Sequence, residues 1–106
     1  MNHCIFTGHL LDDPSLGYEP NPSVCTFKLV VHEYKRNKQG QKKRYPTSIT
    51  FQVFDSGADA IVKLGKKGMK MTIYASAKNG LTRNLKPTDD IIFRVNSFDF
   101  GCLDKD

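Results

Sequence analysis

The chain contains no tryptophan, and its 106 residues include only three cysteines, Cys4, Cys25 and Cys102. An odd set with no CxxC pair excludes a paired disulfide framework and offers no usual zinc spacing. A reduced, cytoplasmic setting is expected. Long apolar runs are also missing, since no segment approaches the ~20 residues of a membrane span. The start, Met1-Asn2-His3, lacks the basic residues and apolar stretch of a secretory signal. No membrane partner is therefore expected. There is no Gly-rich phosphate loop, nucleophile elbow or Ser/His/Asp order. An enzyme is not expected, and no cofactor is required.

Two features invite a metal reading and do not sustain it. His3, Cys4, His9, Cys25, His32 and Cys102 include both soft ligand types, yet no two fall at a familiar ligand spacing. Buried thiols and surface imidazoles account for them better. The pairs Asp12-Asp13 and Asp89-Asp90 resemble the carboxylates that gather divalent ions in nucleases. Both stand beside a proline, Pro14 and Pro87, where turn chemistry explains them.

What is present suits one domain of common size, with 39% hydrophobic and 25% charged residues. Sixteen Lys and Arg against eleven Asp and Glu leave a formal charge of +5, which favours an anionic partner when the cations cluster. They do cluster. Lys35 to Arg44 holds Lys35, Arg36, Lys38, Lys42, Lys43 and Arg44 around Gly40, with no acid.

Hydrophobic alternation places the elements. Residues 2–11 read as a first strand with Cys4, Phe6, Gly8 and Leu10 on one face. Residues 12–23, rich in Pro, Asn, Asp and Ser, read as mostly loop. Val24 to Tyr34 is a second strand with Cys25, Phe27, Leu29 and Val31 inward, and Tyr45 to Phe54 alternates as a third. The cationic segment between them is the tip of a long hairpin. A helix is expected next, capped by Ser56 with Asp59 as partner and stopped at Gly68 after Lys66 and Lys67, its apolar side being Ala58, Ile61, Val62 and Leu64. Met69 to Lys78 gives a fourth strand, Asn79-Gly80 a turn, residues 81–90 a polar connection, and Ile91 to Phe100 a fifth strand. Three strands, a short helix and two more strands is the element order of an OB-fold. That all-β barrel of five strands commonly meets oligonucleotides through its second and third strands.

Tyr34 and Tyr45 bracket the cationic run, so aromatic faces lie beside positive charge, the pairing needed to stack bases while holding a phosphate chain. Tyr45, just before Pro46, serves equally well as an anchor for the hairpin base. Phe54 falls opposite the face of Ile49, Phe51 and Val53, where it covers the barrel's open side, packs in a subunit contact or stacks a base. Lys70, Tyr74 and Lys78 share an outward face, with Arg83 beyond the turn; they extend a basic track or are ordinary surface.

The N-terminal residues carry a further pattern. Asn2, Ile5-Phe6, Gly8, Leu10, Asp13-Pro14, Tyr18 and Pro20, followed by Phe27, Leu29, Phe54, Ala58 and Lys67-Gly68, match in order and spacing. In these the chain resembles the bacterial-type single-stranded DNA-binding proteins, well over residues 2–78 and in outline over 79–100. The resemblance implies an OB-fold domain over residues 1–100, assembled as a homotetramer, or as a dimer in second place, that binds single-stranded DNA in replication, recombination or repair. It also implies that His3 stands at a DNA-contacting position often filled by Lys, that Phe54 is a stacking aromatic, and that the hairpin cations hold the strand. Lys35 stands where many members place an aromatic, Ser48 replaces a common tryptophan, and the aromatic usual after the fourth strand finds only Leu81 or Thr82. Residues 101–106 form a short remnant where the family commonly carries a tail that recruits other proteins, so the chain is either naturally tailless or trimmed. These departures fit a divergent plasmid, phage or mobile-element member. They also resemble the primosomal replication protein N group, an interaction module that engages replication proteins such as a helicase or primase.

Overall fold

A computed structural model describes residues 1–16, 24–81, 84 and 86–101. The elements follow in the order β1 (Cys4–Leu10), β2 (Ser15–Leu16), β3 (Val24–Arg36), β4 (Lys42–Phe54), α1 (Asp55–Leu64), β5 (Lys70–Leu81) and β6 (Pro87–Phe100). The long strands carry an apolar face, which leaves water here as the sheet curls onto itself. The strands order as β1-β5-β6-β4-β3, and β3 pairs back to β1, closing a five-stranded barrel with one short helix. This is the expected OB-fold.

The seams of the barrel are unequal. β3 and β4 pair antiparallel through thirteen positions without a break, from Val24↔Phe54 to Arg36↔Lys42. β4 and β6 meet in parallel at only two, Phe51↔Phe93 and Gln52↔Arg94. β1 runs along β5 from Cys4↔Ala75 to His9↔Lys70, then transfers to β3 at His9↔Val30 and Leu10↔Leu29. Gly8 sits at this transfer. A Cβ there would collide with the Val30 carbonyl, so the crossing requires glycine.

The interior is apolar: Leu10, Cys25, Phe27, Leu29, Phe51, Val53, Ala58, Ile61, Met71, Ile73, Ala75 and Val95 are buried, with no buried polar residue among the described ones. Phe51 is its hub. Phe6 meets it edge-on at 5.4 Å, Phe27 stacks on it at 5.5 Å and Phe93 tilts against it at 5.9 Å. Asn2 fastens the N-terminus to β5 as a ladder residue would. Its side-chain amide donates to the Ala77 carbonyl at 2.7 Å and accepts from the Ala77 N–H at 2.9 Å.

Several expectations need correction. The stretch of residues 12–23 expected as loop contains β2, which adds to the edge of β3 through Ser15↔Thr26 and Leu16↔Cys25; residues 17–23, with Tyr18 and Pro20, lie outside the described residues. The helix begins two residues earlier than a Ser56 cap requires. Phe54 is the N-cap and makes no side-chain bond, because β4 runs straight into α1 through Asp55, whose φ of 56° makes the reversal. The helix ends at Gly65, whose N–H donates to the Ile61 carbonyl. Gly68 looked like a stop because it is a turn residue: with φ 86° it leads into β5, and its N–H donates to the Leu10 carbonyl at 2.8 Å. Leu64, placed on the apolar side, is 53% exposed, while Ala58 and Ile61 are buried. Asn79-Gly80 is not a turn but part of β5, and Pro87 to Asp90 open β6, so Asp89 and Asp90 lie in a strand. Pro87 is tolerated as the first residue of the strand, where the missing N–H breaks no ladder. Asp13 lies in the connection between β1 and β2: its carboxylate accepts from the Lys67 N–H at 2.7 Å, tying that connection to the segment after α1.

Candidate nucleic-acid interface

The unbroken β3–β4 register assigns every residue of the hairpin to a face. Cys25, Phe27 and Leu29 look inward with Val53 and Phe51 opposite them. The outer face therefore carries Thr26, Lys28, Val30, His32, Tyr34 and Arg36 from β3. From β4 it carries Lys42, Arg44, Pro46, Ser48, Thr50, Gln52 and Phe54. With Val24, the partner of Phe54, the face has fourteen positions, which include four permanent cations, Lys28, Arg36, Lys42 and Arg44, and no carboxylate. Glu33, the acid of this hairpin, lies on the reverse face and is 3.6 Å from Lys35 Nζ.

The hairpin projects beyond the barrel, where residues 42–48 are all exposed. Its tip is braced by its own hydrogen bonds. The Asn37 carboxamide oxygen accepts from the N–H groups of Gln39 at 3.0 Å and Gln41 at 2.9 Å, and Arg36 Nη1 donates to the Gly40 carbonyl at 2.9 Å. Such an Asx-type turn fixes the backbone of the arm at its end, and with it the face on which each cation lies.

The two tyrosines that bracket the cationic run fall on different faces. Tyr34 pairs with Arg44 on the outer face, whereas Tyr45 pairs with Glu33 on the reverse, with Lys35 and Lys43. Tyr34 is 61% exposed and Tyr45 42%. Lys38 lies in the tip. Phe54 does share Tyr34's face. Ten residues of β4 separate Phe54 from Arg44, the partner of Tyr34, or about 33 Å at about 3.3 Å per residue. The two rings therefore mark opposite ends of a track several nucleotides long and do not flank one base. Lys28 occupies the middle.

Each ring already carries a cation. Lys42 Nζ stands 4.8 Å from the Tyr34 centroid, and the Arg94 guanidinium carbon 4.6 Å from that of Phe54. Exposed cation–π contacts contribute about 0.5–1 kcal/mol. Stacking a base on an aromatic contributes about 1–3 kcal/mol. The stronger contact displaces the weaker, so these rings remain available to bases.

His3, Lys70, Tyr74 and Lys78 lie elsewhere on the wall. β5 is two strands from β4 by way of β6 and two from β3 by way of β1. Tyr74 pairs with Ile5 on β1 and Ser97 on β6, beside a recess of about 330 Å³ lined by His3, Cys4, Ile5 and Asn96. Arg83, Thr82 and Cys102 lie outside the described residues, as does the side chain of Leu81. Among the described residues no three His, Cys, Asp or Glu side chains come together. His32 Nδ1 is buried without a hydrogen-bond partner among the described residues.

Sequence reasoning passed over Lys28 and Arg94. Lys28 was legible, because alternation from Phe27 and Leu29 puts it outward. Arg94 was not, since only the two-residue parallel seam brings it beside β4.

A barrel with a cationic hairpin and two aromatic ends can hold an extended anionic chain that carries flat rings. The family comparison agrees, for the model of the single-strand binding protein family matches residues 1–86. The chain belongs to the single-strand binding protein family. Solved structures share the fold of this family member. The single-stranded DNA binding protein from Thermus aquaticus, as a deletion mutant, superposes with a TM-score of 0.77 at 16% identity, over 94% of this chain and 50% of that one. The chain thus spans half of the Thermus protein. The Plasmodium falciparum SSB, in complex with ssDNA, superposes with a TM-score of 0.72 at 22% identity, over 98% of this chain and 96% of that one. Among curated proteins no relative matches the sequence. No helix of the described residues is long and apolar enough to cross a membrane.

Proposed function

We propose that the chain binds single-stranded DNA with tolerance of sequence, without catalysis, through the outer face of the β3–β4 hairpin. The observation that carries this reading is the carboxylate-free face itself, with Lys28 between Tyr34 and Phe54, Arg44 opposite Tyr34, and Arg36 and Lys42 beyond it toward the tip. Lys28, Arg36, Lys42 and Arg44 hold phosphates along the face, Lys38 contributes from the tip, and Lys35 and Lys43 add field from the reverse side. Tyr34 and Phe54 stack bases. His3, Lys70, Tyr74 and Lys78 belong to a secondary track around the barrel, reached if the strand wraps. Residues 1–100 form the binding domain. Assembly into a homotetramer, or a dimer in second place, a cytoplasmic setting and service in replication, recombination or repair complete the proposal.

Titration with fluorescent oligo-dT and a matching duplex at two salt concentrations tests it. Tight binding to the single strand alone is expected, with log affinity falling against log salt at about −0.7 per phosphate, or roughly −4 for about six contacts. Equal or negligible binding would overturn the reading. The departures at Lys35 and Ser48, which thin the aromatic platforms, favour a second reading as a primosomal-type interaction module. Intact assembly without oligo-dT binding is its signature.

A further inference from the structure

Both aromatics at the ends of the outer face carry a cation, and neither cation has another partner among the described residues. Arg94 and Lys42 make no ion pair or side-chain hydrogen bond with the described residues. The ladder neighbours of Arg94, Gln52 and Ser76, are uncharged, and among the described residues the Phe54 ring is its side-chain contact. Its position is built by the fold. Gln52 pairs with Arg94, and Phe54, two residues on and on the same face, is the diagonal neighbour. Lys42 stands to Tyr34 in the same way, one diagonal step from the Tyr34↔Arg44 pair. The sequence of β6 alone gives Arg94 no role, and the hairpin run does not include it.

We propose that Arg94 is a DNA-contacting residue and that it works by exchange. In the free protein its guanidinium covers Phe54; an arriving base takes the ring, and the displaced guanidinium swings to a phosphate of the bound strand. Lys42 and Tyr34 repeat the device at the other end of the track. Each covering cation shields the ring it covers from unrelated apolar contacts and is released as a phosphate ligand when the ring is used. This rests on the proposed single-stranded DNA binding and adds a residue, a starting state and a movement to it.

The exchange has a signature that a fixed phosphate contact lacks. Arg94→Met removes a phosphate contact but also leaves the ring open. The salt slope of oligo-dT binding should become shallower by about 0.7, one contact. Affinity should fall at low salt yet cross over, becoming about two- to fivefold tighter than the native chain at high salt, the factor carried by an exposed cation–π contact. Arg94→Lys, which keeps both the charge and the ring contact, should preserve the native slope. The Phe54→Leu background removes the platform, and there Arg94→Met should lose the high-salt gain and keep the shallower slope. Thermal melts of each variant separate folding defects from binding. An unchanged slope in Arg94→Met, with native binding intact, overturns this inference alone. A shallower slope with no crossover shows a fixed phosphate contact and overturns the exchange. Failure of the native chain to bind oligo-dT overturns the proposed function and this inference together.

Discussion

At the scale of single residues, the consequence of the register is that two tyrosines of similar sequence setting differ in use. Tyr34→Ala should weaken oligo-dT binding by about 1–3 kcal/mol, the contribution of one stacked base. Tyr45→Ala, on the reverse face with Glu33, should change it far less; equal losses in fluorescence titrations would refute the assignment of faces. Cys25 allows a different test. Burial pushes its thiol above the ordinary value of 9.0, partly offset by a backbone hydrogen bond at Ser15. The unfolded chain therefore releases this proton at a lower pH than the folded one. Stability from the neutral thiol is full below the ordinary value and is lost as pH rises through the folded one. Urea midpoints of the native chain should fall more steeply above about pH 9 than those of Cys25→Ala. Parallel curves would show that the thiol is not responsible.

At the scale of elements, the arm is a two-faced ribbon whose charge is not equivalent on its sides. Lys42→Gln with Arg44→Gln and Lys35→Gln with Lys43→Gln remove the same charge. The outer pair should reduce the salt slope by about 1.4, two contacts at about 0.7 each, and the reverse pair by less. Identical slopes would mean that the arm acts only through its summed charge. The strands themselves were legible because period-two alternation at Phe27, Leu29, Phe51, Val53, Met71 and Ile73 is a local signal of a buried face. The arm was legible as a hairpin but not as two faces, since the assignment depends on counting back from a five-residue turn whose bonds to Asn37 no propensity reveals. Element ends were misread for specific reasons. Asp55 turns the chain at φ 56°, so no cap residue was needed, and Asn79-Gly80 is held in β5 by its pairing with β6. The partnership of Arg94 with Phe54 depends on a contact between strands far apart in sequence and leaves no local trace.

At the scale of the whole molecule, barrel closure depends on a few points where backbones nearly touch. Gly8→Ala would force its methyl into the Val30 carbonyl where β1 leaves β5 for β3. A loss of about 1–3 kcal/mol is expected, the usual range for overpacking, seen as a lower denaturation midpoint together with weaker oligo-dT binding. If only the midpoint moves, closure at this crossing is independent of the outer face. The reach of the arm makes the molecule elongated, 50 × 35 × 25 Å, so that much of its surface charge stands away from its core.

The two-pair junction of β4 with β6 makes the barrel resemble a garment stitched firmly down one flank and only basted down the other. Strands so sparsely joined part at lower free energy than the molecule as a whole unfolds. Phe54 and Arg94 stand on opposite sides of that basting, so a transient parting there would also lift the cation from the ring. Amides of Gln52 and Arg94 should thus exchange with deuterium faster than those of the central β3–β4 ladder, and oligo-dT should slow them by bridging the gap. A strand of DNA would then act as the thread that the fold itself omits.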